Sequence, residues 1–160
     1  MQVKLILYNL IITIKQDENV LILNRINKYL DSKKHIGIFL LRIFVSLRLL
    51  YGVIDNIFSW ERMIEFSNFL QLYNFPFPIF NAVLSVYVQF IGAILILIGY
   101  RIRIASFILV INFIIALVFV HIIGNDSIEG MTGALAMLFG CLTFVFTGAD
   151  KLSLETYSKS

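Results

Sequence analysis

Ile104-Ala-Ser-Phe-Ile-Leu-Val-Ile-Asn-Phe-Ile-Ile-Ala-Leu-Val-Phe-Val-His-Ile-Ile123 decides the fold class. Only Ser106, Asn112 and His121 interrupt twenty otherwise apolar residues. A bilayer's hydrocarbon core is about 30 Å thick, and about 20 helical residues cross it. A helix of this length on a soluble domain would carry a polar face, and this stretch has none. Lipid offers the backbone no hydrogen-bond partners, so a spanning segment must be a helix or part of a closed barrel. The period-2 alternation of a barrel strand is absent. The stretch is therefore predicted to be a transmembrane helix.

Working outward, three similar runs complete an all-α integral membrane four-helix bundle, with helices expected at 36–58, 79–100, 104–123 and 131–147. Composition agrees. Of 160 residues, 59% are hydrophobic and 14% charged, and the mean hydropathy is +0.89; soluble domains hold about 45–50% apolar and about 25% charged residues. A soluble enzyme, a disordered chain and a nucleic-acid binder are excluded. The net charge of +3 arises from Lys and Arg flanking apolar runs, where they act as topology signals. A single cysteine, Cys141, excludes an internal disulfide and a cysteine-based metal cluster.

The domain plan is an interfacial N-terminal segment, 1–35, a transmembrane domain, 36–150, and a tail, 151–160. Val3–Ile14 is apolar after Lys4, but no small-residue cleavage site follows it, which argues against a secretory signal. In Val20–Leu30, Leu23, Ile26, Asn27 and Leu30 share one helical face, suiting a short amphipathic helix on the membrane surface. Lys33 and Lys34 are expected to end it. Ser59–Pro78 reads as one long aromatic loop, with Pro78 able to start the next helix. With the N-terminus inside, the inner segments hold Lys4, Lys15, Arg25, Lys28, Lys33, Lys34, Arg101, Arg103, Lys151 and Lys159, against Arg62 alone outside. The positive-inside rule then places both termini in the cytoplasm.

Polar groups within apolar spans are the candidate site, because ionisable groups at membrane depth usually face the bundle. Arg48, Tyr51, Gly52, Asp55 and Ser59 form one stripe of the first helix. Asn81, Ser85, Gln89, Gly92 and Gly99 form one of the second. Asn112 and His121 lie on opposite faces of the third. Glu129 precedes Thr132, Gly133, Ala136 and Gly140, small residues that permit close helix approach and would permit a homodimer. Arg48 with Gln89 falls at mid-membrane, Asp55 with His121 in the outer leaflet, and Glu129 at the outer surface. This ladder implies a polar pocket opening outward. Arg48, Tyr51, Asp55, Ser85, Gln89, His121 and Glu129 are the ligand-binding or proton-relay candidates. Arg48 with Asp55 also suits a structural ion pair, Gln89 an interhelical hydrogen bond, and His121 simple solvation. Arg42 is expected to snorkel to the inner surface, and Cys141 to pack.

The sequence has no cluster of metal ligands, no haem-bracketing histidine pair, no glycine-rich phosphate loop and no Cys-x-x-Cys. No covalent cofactor is expected, and any redox role would need a bound molecule or a partner.

Arg42 to Glu155 resembles the DoxX family of small bacterial four-helix membrane proteins. The resemblance rests on Leu47-Arg-Leu-Leu-Tyr-Gly-Val-Ile-Asp-Asn56, Asn74-Phe-Pro-Phe-Pro78, Val88-Gln-Phe-Ile-Gly-Ala93, Leu97-Ile-Gly-Tyr-Arg101, His121 and Thr147-Gly-Ala-Asp-Lys-Leu-Ser-Leu-Glu155. It implies a quinone-associated membrane subunit of a redox or oxidative-stress complex, with a protein partner carrying the redox centre. Gln89 stands where many members carry Glu, and Asp150 where the closing motif has a second Gly. The alternative class is a non-catalytic membrane adaptor docking through its aromatic loop and basic N-terminal helix. A transporter fits less well, since four helices leave little room for alternating access unless the protein oligomerises.

Overall fold

The computed structural model describes residues 2–149 and 151–157, with side chains described at Gln16 and from Asn19 onward. Asp150 and residues 158–160 lie outside the described residues, as do the side chains of Lys4 and Lys15. All described regular structure is helical. The elements are α1 (Gln2–Phe58), α2 (Trp60–Leu72), α3 (Pro78–Ile98), α4 (Ile102–Ala116) running into a π-helical segment (Leu117–Ile122), α5 (Ile128–Thr147) and α6 (Leu154–Tyr157). Four helical stretches are long and apolar enough to cross a membrane: Asn19–Phe58, Pro78–Ile98, Ile102–Ile122 and Ile128–Thr147. The protein is a multi-pass membrane protein whose apolar outer faces contact lipid.

The chain divides into two compact units, Met1–Gly37 and Ile38–Ser160. In the first unit, Lys33 and Lys34 do not end the helix, contrary to expectation. Lysine is a good helix former, and no Gly or Pro follows before Gly37 to break the ladder. The stripe of Leu23, Ile26 and Leu30 is exposed.

The second unit is the bundle. Its core joins Val45 and Leu49 of α1, Ala93 and Ile96 of α3, Ile102, Ala105, Leu109 and Phe113 of α4, and Met137, Cys141 and Phe144 of α5. Glycines set the close approaches. A Cβ on Gly92 would stand 2.8 Å from Leu109, and one on Gly140 would stand 2.8 Å from Val45. Cys141 packs as expected, fully buried.

The aromatic connection is not a loop. Ser59 caps α2, its Oγ accepting from the Arg62 N–H at 3.4 Å, and Glu61 occupies the first turn, where the helix dipole favours an acid. Met63, Ser67 and Leu70 are buried at helical spacing, so the helix was legible but masked by aromatic content. On its exposed side, the hydrogen bond and charge of Glu65 hold the Arg62 guanidinium above its ordinary pKa. Pro78 takes the first turn of α3 as expected.

At the other end of the bundle Arg42 does not snorkel. It is 2% exposed and donates through Nη2 to the Leu152 carbonyl at 2.6 Å. The Glu155 N–H donates to the carbonyl of Gly99, whose φ of 78° closes α3. The closing motif thus folds back onto α1 and α3. A buried guanidinium with protein acceptors at hand has no reason to reach for the headgroups.

Candidate intramembrane cavity

The bundle contains a cavity of about 400 Å³ toward the end where α3 begins and the π-helical segment finishes. Arg48 and Gly52 of α1 line it, with Asn81, Ser85 and Gln89 of α3, Asn112, Phe113 and Ala116 of α4, His121, and Gly133 and Met137 of α5. Phe66, Phe69 and Leu70 of α2, with Phe75 after it, complete the wall on the His121 side. Aromatic contacts steady this wall: Phe69 to Tyr73 at 5.0 Å and Phe75 to Phe119 at 5.2 Å between centroids.

Three polar side chains share one depth. Arg48 lies ten residues before the end of α1 at Phe58, Asn112 ten from either end of Ile102–Ile122, and Gln89 within a residue of the middle of Pro78–Ile98. Gln89 Nε2 donates to Ser85 Oγ at 3.1 Å within α3, rather than across to another helix. Asn81 Nδ2 donates to the Pro76 carbonyl. Arg48 is exposed, lies over the Tyr51 ring at 5.9 Å and has no carboxylate partner among the described residues. A charge at the bilayer centre costs about 2.5–3.5 kcal/mol on insertion scales, so an unneutralised guanidinium there favours a partner with an acceptor group.

Of the residues singled out from sequence, the structure places Arg48, Ser85, Gln89 and His121 on the cavity wall and leaves Tyr51, Asp55 and Glu129 off it. Tyr51 is 79% exposed. Asp55 is exposed and accepts only from the neighbouring Asn56 N–H, at 3.0 Å, so the Arg48–Asp55 ion pair does not form among the described contacts. Glu129 is exposed in the first turn of α5. The α1 stripe was expected to face inward as a whole. Its Arg48–Gly52 edge does, while its Tyr51–Asp55 edge turns away, because Val45, Leu49 and Val53 claim the core.

His121 departs from expectation twice. In a regular α-helix, nine residues at 100° each place it opposite Asn112. The segment Leu117–Ile122 is π-helical, with the Ile123 N–H bonding to Val118 O at 3.1 Å. A π-turn holds an extra residue, so rotation about the axis lags by about one residue's worth. That lag carries His121 round to the cavity, whose wall Asn112 joins more than two turns away. Its acidic partner is Asp126, not Asp55 or Glu129: His121 Nδ1 lies 2.7 Å from Asp126 Oδ2, and the Asp126 N–H donates to His121 O at 2.9 Å. This contact fixes the ring and leaves Nε2 for a ligand. Asp126 was passed over because five residues separate it from His121, a spacing at which α-helical side chains do not meet. Asn81 and Asn112 were visible as polar breaks but were given no role.

A membrane-spanning helical bundle with a mostly apolar internal cavity that carries a few polar side chains defines the class: a small multi-pass α-helical membrane protein. The family is narrower. A family model described as DoxX matches residues 37–122, more than half of the chain, and the protein belongs to that family. No curated protein and no solved structure matches it.

Proposed function

We propose that the protein is a membrane subunit of a redox or oxidative-stress complex and binds a quinone-like molecule in the bundle cavity. The observation that carries this reading is the midplane set of Arg48, Gln89 and Asn112 on the wall of an otherwise mostly apolar cavity. Its volume falls within the range of about 300–1,000 Å³ usual for small-molecule sites, which combine apolar walls with a few placed polar groups. Gln89 and Asn112 supply amide donors for a carbonyl oxygen. Arg48 supplies a charged donor that strengthens as negative charge develops on that oxygen. His121, held by Asp126, supplies a proton-exchanging nitrogen at the far end of the cavity. When bound, a quinone would supply two-electron, two-proton chemistry. In this reading electrons come from a partner protein.

Orientation follows from charge. The Arg42 end carries Arg101, Arg103 and Lys151, while the His121 end carries Glu61, Glu65, Asp126 and Glu129 against Arg62. The positive-inside rule therefore turns the Arg42 end to the cytoplasm of a bacterial inner membrane and the His121 end outward.

The test is to purify the protein in mild detergent and identify co-extracted small molecules by mass spectrometry, beside Arg48→Ala and His121→Ala checked for monodispersity. A near-stoichiometric quinone in wild type, lost from folded variants, is the expected result. Bulk lipid alone, equal in all three, would overturn the reading and favour a non-catalytic adaptor.

A further inference from the structure

We infer that the cavity is loaded sideways from the lipid, through a gap between α1 and α5 rimmed by Arg48, Gly52 and Gly133, and that its ligand is a long-chain amphiphile whose tail occupies that gap. The inference rests on the head-group site proposed above and adds the route and the shape of the ligand.

The two helices touch and then part. They meet at Val45 and Gly140, where a Cβ on the glycine would stand 2.8 Å from the valine. Seven residues further along α1 is Gly52, and seven residues back along the antiparallel α5 is Gly133. Seven residues is about two turns, roughly 10 Å, so these glycines stand at one depth. Both are exposed and both line the cavity. A Cβ on Gly133 would meet nothing within 4 Å, and one on Gly52 only Arg48 Nη1 at 3.3 Å.

Other ways in are obstructed. Phe66, Phe69, Leu70 and Phe75 cover the cavity on the α2 side. Ile96, Leu109, Cys141 and Phe144 fill the bundle toward Arg42. A water-borne ligand would need one of those routes, whereas the gap faces the bilayer. Arg48 is both exposed and cavity-lining, so its guanidinium stands in the gap. A molecule arriving from the lipid meets that donor first, and its head passes inward to Gln89 and Asn112. An alkyl tail left behind covers the exposed glycines with the apolar surface the bilayer requires.

Equilibrium binding to protein in nanodiscs tests this with two probes, a benzoquinone bearing a ten-carbon tail and the same ring without a tail. Gly133→Trp fills the gap, Gly133→Leu fills it partly, and Ile111→Trp adds bulk on an exposed position off the cavity wall. Thermal melts confirm folding of each. Wild type should bind the tailed probe more tightly. Gly133→Trp should weaken the tailed probe at least tenfold more than the tail-less one, Gly133→Leu should show a smaller excess, and Ile111→Trp should weaken neither. Equal loss of both probes, or no loss of either, in folded Gly133→Trp overturns the gap. Equal affinity of wild type for the two probes overturns the role of the tail. Failure of wild type to bind either probe removes the head-group site itself and the inference with it.

Discussion

The two halves of the bundle use the same helices and the same apolar alphabet for opposite ends. Toward Arg42, Gly99, Gly140 and Gly148 are all under pressure. A Cβ at Gly99 would stand 2.6 Å from Ser153, one at Gly140 would meet Val45, and one at Gly148 would stand 2.5 Å from the Arg103 guanidinium. The buried cation there, Arg42, is hydrogen-bonded to backbone. Toward His121, Gly133 looks into open space and Arg48 has no acid beside it among the described residues. The contrast teaches that small residues and intramembrane arginines have no fixed meaning. What they do depends on whether the neighbouring helix closes on them.

The comparison breaks most readily at Gly99. Its backbone has positive φ and its Cβ side is occupied, so Gly99→Leu combines backbone strain with overpacking. A loss on the order of 3–5 kcal/mol is expected in reversible unfolding in mixed micelles, and a shift below 1 kcal/mol would show that the closing motif is not packed there. Arg42→Ala should cost about 2–4 kcal/mol by the same measurement, since it strips a buried charged donor from the Leu152 carbonyl. Arg42→Lys should restore only part, a point charge being a poor substitute for a planar fork.

The glycine pair sharpens the contrast further. Gly140→Leu should lose about 1–3 kcal/mol by overpacking against Val45. Gly133→Leu should be neutral or gain a few tenths, since it replaces a poor helix former in open space. Equal effects at both positions would erase the distinction between the halves. The smallest effect is expected at Gln89→Leu. An intrahelical bond to Ser85 is worth about 0.6 kcal/mol in a membrane, so its melt should barely move while co-extraction of the cavity ligand falls.

Much of the bundle was legible from sequence because lipid imposes one rule on the backbone, and hydropathy reports it directly. Residues whose environment depends on contacts distant in sequence were not. Arg42 looked like a terminal arginine because its acceptor, Leu152, is 110 residues away. The α2 helix was obscured because aromatic residues suit both an interfacial loop and a half-buried helix, although Ser59, Glu61 and the Met63–Ser67–Leu70 spacing already marked it. In the site, depth transferred well, since it depends only on counting residues, and Arg48, Gln89 and His121 all line the cavity. Azimuth transferred poorly. One π-turn rotated His121, and the core's claim on Val45, Leu49 and Val53 turned Asp55 away.

That π-turn has a consequence for how this chain can change. The six residues Leu117–Ile122 carry the helical equivalent of a shifted reading frame, one residue more than a regular ladder needs. Deleting a single residue such as Val118 would heal the ladder, keep the membrane crossing and improve its hydrogen-bond geometry. The missing residue and the lost lag would cancel, so every residue after the deletion would keep its face and the imidazole would stay at the cavity. What would turn the imidazole away is winding the same residues into a regular α-helix without a deletion, so the irregular turn and this histidine's place at the site are tied together unless one codon is lost with it.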